Sequence, residues 1–280
     1  MGIISNILGG MGLYQMGCQI WNAFMDITLG FLVKTPEEVD STLWSLIMND
    51  IYPIFLAIGA ACVTIFFFLG IYRDITDFRQ IADVERLTYV YLRLAFCQAV
   101  ILALQPFIIG MFRSGQALSN LIITNMGFEP GEGYGHLDAY STFFANGDTL
   151  YTAGLILGIL FLVAALICGA VICFSVYARI FKMIFAVPTG ALAVATIAGG
   201  GGISRMAEGW LKEFIAVLLE APFMILGLGI AVPFMNVNLF PDAGTASSLM
   251  SVIEPAFKMI LVAGALKGCS MIFRKYLSIN

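Results

Sequence analysis

Charge is the scarcest property of this sequence. Asp, Glu, Lys and Arg make up 11% of it, less than half the roughly 25% of an ordinary soluble domain. Apolar residues reach 60% and the mean hydropathy is +0.94. Together these exclude a soluble globular chain and indicate an all-α integral membrane protein. Histidine occurs once, as His136 in the acidic stretch G-E-G-Y-G-H-L-D. It has no partners at ligand or acid–base spacing, so a solvated loop is the plain reading. Cysteine is present but misplaced for a framework. Cys62, Cys97, Cys168, Cys173 and Cys269 sit in apolar runs and Cys18 in an amphipathic one, so neither disulfides nor a metal cage is expected. Met1–Ser5 lacks a basic n-region, and Asn6 fails the myristoylation pattern, so neither signal is expected. No G-K-[ST] follows Gly199–Gly202, which argues against a nucleotide loop. No enzyme chemistry, cofactor or metal is therefore expected, and no long internal repeat supports an inverted-repeat transporter.

What is present is a series of apolar runs. Residues 1–50 form an outward-facing N-terminal region, and 51–280 a polytopic membrane domain. Gln15, Gln19, Asn22 and Asp26 recur every three or four residues, one polar stripe on a helix with Trp21, Phe24 and Met25 towards its other face. This predicts an interfacial amphipathic helix, with a weak first span as the competing reading. Five spans are predicted at about 51–72, 87–112, 149–177, 213–236 and 252–273, each near the 20 residues a hydrocarbon core requires. The connector 73–86 has apolar spacing at Ile75, Phe78, Ile81 and Val84, and reads as a helix. Residues 113–148 form an outward loop carrying Glu129, Glu132, Asp138 and Asp148. Gly154–Gly158 and Gly264–Gly268 are G-x-x-x-G pairs, weak signals in so Gly-rich a chain. Gln98 and Gln105 share a face and read as interhelical hydrogen bonds rather than a conduction path.

The basic residues set an orientation. Arg73, Arg79, Arg86, Arg93, Arg179, Lys182, Arg205, Lys212, Lys267, Arg274 and Lys275 flank span ends. The positive-inside rule makes 73–93, 179–182, 205–212 and the C-terminus cytoplasmic, with the N-terminus outside. That bookkeeping requires 183–199 to enter and return, or to lie buried in protein, without crossing.

This same segment is the most unusual in the chain. A-V-P-T-G-A-L-A begins at Ala186 as a helix of small residues containing Pro188 and Gly190. It dissolves at Gly199, Gly200, Gly201 and Gly202, then restarts as R-M-A-E-G-W-L-K-E-F with Arg205 and Trp210. Such a backbone suits either close approach of another subunit or the lining of a polar path. Glu220 lies inside an apolar span, where a carboxylate costs on the order of 3 kcal/mol. It reads either as paired with Lys267 at similar depth, or as protonated or reaching a polar cleft.

The order of a basic span end, a proline-containing apolar helix, a charged segment and a tryptophan before the next span resembles the TrbL-type inner-membrane family of conjugative type IV secretion systems. Pro188, Arg205, Glu208 and Trp210 are the matching positions, within roughly residues 150–236. The G-G-G-G run replaces what is usually a bulkier turn. The resemblance implies a scaffold or channel subunit of the bacterial inner membrane that moves DNA or protein. Its implied partners are other membrane subunits, cytoplasmic ATPases and further copies in a ring, with transient contact to the DNA substrate or a pilus subunit. A stand-alone secondary transporter or ion channel is the alternative, and a membrane anchor for another secretion or phage-like complex is a further one.

Overall fold

Short polar residues punctuate this apolar chain by capping its helices. In the computed structural model, residues 10–76, 84–127, 133–138, 151–237, 239 and 247–276 are described. Helix α1 (Met11–Val33) is followed by Thr35, whose hydroxyl accepts from Glu38 N while the Glu38 carboxylate accepts from Thr35 N, a reciprocal cap on α2 (Pro36–Val39). Asp40 caps α3 (Ser41–Leu46), accepting from the amides of Thr42 at 2.9 Å and Leu43 at 3.0 Å. A π-helical turn, Ile47–Ile51, leads into α4 (Tyr52–Thr76). Then come α5 (Val84–Met126), α6 (Tyr151–Ala195) with a 3₁₀ turn Thr196–Gly199, α7 (Arg205–Met235) and α8 (Ser247–Tyr276). No strand occurs among the described residues. The fold is all-α, and six helices are long and apolar enough to cross a membrane. Exposed apolar side chains such as Leu102, Phe174 and Phe185 fit hydrocarbon as solvent. The chain is a multi-pass membrane protein.

Several boundaries differ from the sequence reading. Arg179 and Lys182 do not end a helix: α6 runs through them for 45 residues, a rise of about 68 Å. The segment 183–199 is therefore no separate re-entrant piece. It is the end of α6 and its 3₁₀ turn, rising about 25 Å, and most of it is buried. Likewise 113–126, read as loop, continues α5, and the charged restart at Arg205 is continuous with the next span in α7. A helix can carry a charged side chain through an apolar run when neighbouring protein covers it, as at Arg179, 3% exposed. The N-terminal helix counts among the six, where five spans were expected. Phe78, Ile81, Glu129, Glu132 and Asp148 lie outside the described residues.

The chain divides into two compact units, not at residue 50 but by interleaving. Unit 1 comprises residues 1–33, 118–178 and 220–273; unit 2 comprises 34–117, 179–219 and 274–280. Unit 1 has its own core, where Tyr14, Trp21, Met25 and Leu29 of α1 join Phe161 and Ile172 of α6, Met224 and Leu228 of α7 and Met259 of α8. So α1 is a core helix rather than an interfacial one: Tyr14, Trp21, Met25 and Leu29 are at most 1% exposed because protein, not lipid, covers them. Unit 2 packs Trp44, Phe67, Cys97, Leu104, Ile108, Val187, Ala191 and Phe214.

Candidate functional site: the glycine turn and the clamped loop

In unit 2 the small residues of α6 let other backbones come close. Pro188 has no N–H for the Ile184 carbonyl. Just beyond it the Thr189 hydroxyl donates to the carbonyls of Phe185 at 3.0 Å and Ala186 at 3.1 Å. Trp210 Nε1 donates to the same Ala186 carbonyl at 3.0 Å. Its indole lies where a Gly190 side chain would be, since a Cβ there would come within 2.5 Å of the ring. Trp210 stacks on Phe214 at 5.2 Å, Phe214 meets Phe112 at 5.4 Å, and Phe112 meets Trp44 at 5.9 Å. A Cβ on Gly59 of α4 would lie 2.9 Å from the Ala191 carbonyl oxygen, and one on Gly70 2.8 Å from that of Gly199.

The turn itself is built around arginines. Gly200 has φ +61°, ψ −177°, a conformation essentially confined to glycine, and Gly201 has φ +50°. A Cβ at Gly200 would overlap the Arg93 guanidinium, which also lies 2.8 Å from the corresponding position on Gly70. The Arg73 guanidinium lies over Gly202, at 3.5 Å from its Cβ position. Pro188, Gly190, Gly199 and Gly200 are thus buried against their own chain, where the sequence reading offered a partner subunit or a polar path. The close approach is made by α4, Arg93 and Trp210 of the same molecule. Gly201, Gly202 and Arg205 are exposed. Beside Trp210 an apolar groove of about 530 Å³ runs along Val100, Leu104, Phe107, Val194 and Leu211.

Unit 1 answers the polar stripe of α1. Asn22 bridges the backbone of Leu137, donating to its carbonyl at 3.2 Å and accepting from its amide at 2.8 Å. Trp21 Nε1 donates to the Gly135 carbonyl at 2.9 Å, and His136 Nε2 lies 2.9 Å from Asp26 Oδ1. Tyr134 completes the seat by donating to the Gly229 carbonyl at 3.4 Å, and burial raises its phenol's pKa. Gly135, at φ +77°, has no room for a Cβ, which would come within 2.7 Å of Met25. Loop 133–138 is thereby clamped on α1 and borders a cavity of about 630 Å³ with Thr124 and Asn236 on its wall. His136 is a partnered residue, not merely a solvated one. The sequence held the two halves of this clamp, but nothing in spacing joins residues 22 and 137.

The intramembrane charges are also arranged differently. Glu220 is 3% exposed, Lys267 is exposed, and no ion pair joins them among the described residues. The lysine that unit 1 buries is Lys258, bonded to Glu254 Oε1 at 2.7 Å and to the Met235 carbonyl at 2.7 Å. The same Glu254 oxygen accepts from Leu239 N at 3.0 Å. The i, i+4 spacing of Glu254 and Lys258 was the available signal. Of the G-x-x-x-G residues, Gly158 packs so closely that a Cβ on it would lie 2.7 Å from the Gly10 carbonyl oxygen, whereas Gly264 and Gly268 face open space. Gln98 and Gln105 are exposed and, among the described residues, bond to nothing. No group of three His, Cys, Asp or Glu residues that could hold a metal occurs among the described residues. Compared with known proteins, the chain matches no family model, no curated protein and no solved structure.

Proposed function

We propose that this protein is a membrane scaffold or channel subunit of a conjugative type IV secretion machine in the bacterial inner membrane. It does no covalent chemistry itself and helps to move DNA or protein across the bilayer, with cytoplasmic ATPases supplying the energy. The observation that supports this reading is that the proline and tryptophan ends of the TrbL-type pattern are brought together, while Arg205 and Glu208 stay exposed between them. Trp210 hangs on the Ala186 carbonyl beside Pro188 and against Gly190, so the pattern corresponds to one built helical hairpin. A motif that specifies a tertiary lock is a stronger basis for kinship than a motif of composition.

Pull-down of the tagged protein from native membranes tests the reading, with conjugation ATPases, pilus components and other membrane subunits expected among the captured proteins. A purified protein that moves ions or solutes in liposomes unaided, and captures none of these, would replace it with the stand-alone transporter. The orientation is proposed as N-terminus outside and C-terminus cytoplasmic. Labelling of single cysteines at Ser5, Ser204 and Lys275 in intact cells checks it: Ser5 alone should react, and reaction at both or neither of Ser5 and Lys275, as six crossings would give, overturns it.

A further inference from the structure

The exposed face of α5 in unit 2 has a regular period, of which the chain itself uses only the first member, Tyr91, whose ring lies 6.0 Å from that of Phe67 on α4. Tyr91, Ala95, Gln98, Leu102 and Gln105 follow at alternating steps of four and three, the 3.5-residue repeat of a left-handed helix pair. All five are exposed, and Leu102 at 79% is the most exposed large apolar side chain among the described residues. Buried Cys97, Ile101, Leu104 and Ile108 lie on a different face, so this seam is not the one that packs α5 into its own unit.

The two amides make the seam more than a lipid-facing surface. Arg93 and Arg113 lie twenty residues apart, a rise of about 30 Å that matches a hydrocarbon core. Gln98 and Gln105 fall between them. An amide in hydrocarbon has no water to bond, so a partner must supply both donors and acceptors.

We propose that α5 forms a two-fold, parallel contact with α5 of a second copy of this chain, with Gln98 and Gln105 each bonded to its own counterpart. A carboxamide carries a carbonyl acceptor and an N–H donor, so two identical amides across a two-fold axis satisfy one another reciprocally. A parallel arrangement in register brings both pairs together at once, because successive glutamines occupy the same heptad position. Leu102 packs on its own copy between them, and the small Ala95 permits close approach. The contact is isologous and makes pairs; it does not by itself close a ring. It rests on the membrane reading of α5 and not on a role in secretion.

The test is p-benzoylphenylalanine placed at Leu102 and photolysed in membranes of an expression host without secretion partners. The expected adduct has twice the 30.4 kDa chain mass. The same probe at exposed Phe185 should give none. Gln98→Leu and Gln105→Leu each improve the hydropathy of the helix, so insertion is preserved, and each should weaken self-association about threefold to tenfold. Gln98→Asn should retain most of it. An adduct at Leu102 to a different protein, or a glutamine-to-leucine double variant that pairs as well as the parent, overturns the proposal. Neither outcome bears on the native-membrane pull-down, which is read separately.

Discussion

Adding one methyl group at three neighbouring glycines should produce three different results. At Gly200 the backbone sits at φ +61°, ψ −177°, which a Cβ makes unfavourable by about 1–3 kcal/mol. The new methyl also overlaps the Arg93 guanidinium, and pushing that packed group aside costs about 1 kcal/mol more. Gly200→Ala is therefore expected to destabilise by about 2–4 kcal/mol. At Gly201, φ is +50° and the nearest atom to a Cβ is Arg73 Nη1 at 3.7 Å, so only the left-handed backbone penalty of about 1–2 kcal/mol applies. Gly202 has no positive φ and an ordinary 3.5 Å contact with Arg73. Gly202→Ala should be neutral, or stabilise by about 0.4–1 kcal/mol through the unfolded chain. Thermal melts of the three purified variants in one detergent, followed by tryptophan fluorescence, should rank them Gly202, Gly201, Gly200 from most to least stable. If Gly200→Ala melts with Gly202→Ala, the turn is a slack connector and the reasoning about Arg93 fails.

Three further outcomes follow from single contacts. Lys258→Met leaves the Glu254 carboxylate buried without its cation and should cost about 3–5 kcal/mol. The double change with Glu254→Gln should recover part of the loss in the same melt. Asn22→Leu removes both bonds to the Leu137 backbone, and hydrogen exchange at the Leu137 amide should quicken roughly tenfold or more. The Gln116 amide, at 2.7 and 3.0 Å, holds the Glu38 carboxyl below the usual carboxylate range, its effect outweighing the raising effect of burial. A depressed pKa gives stability that is present above the unfolded-state value and lost as pH falls through Glu38's own. Gln116→Leu should therefore raise the Glu38 pKa and shrink the acid-limb stability difference, readable by carboxyl NMR titration.

The helical punctuation was legible because it is local. Thr35, Glu38 and Asp40 announce their caps within four residues, and the reciprocal cap has the S/T-x-x-E pattern. Gly190 and Trp210 were singled out together, and the indole lies against Gly190 and bonds to the Ala186 carbonyl two residues before Pro188. Gln98 and Gln105 were placed on one face, and they share it. The stripe Gln15, Gln19, Asn22, Asp26 was also real, but its meaning was misread. A polar stripe on an apolar helix reads the same whether water, headgroups or a polar loop satisfies it, and here Leu137 and His136 meet two of its members.

By itself the sequence determined that this is an all-α chain made for a membrane. Helix formation and hydropathy sum over some twenty consecutive residues and need no knowledge of what lies beside them. Only the tertiary structure decided what each helix face meets. It carried α6 unbroken through Arg179 and Lys182, placed the small residues of 186–200 against α4 and Trp210 of the same chain, and buried Lys258 with Glu254 instead of pairing Glu220 with Lys267. Those choices depend on contacts between residues far apart in sequence, and a one-dimensional pattern constrains which faces need a partner but not which partner arrives.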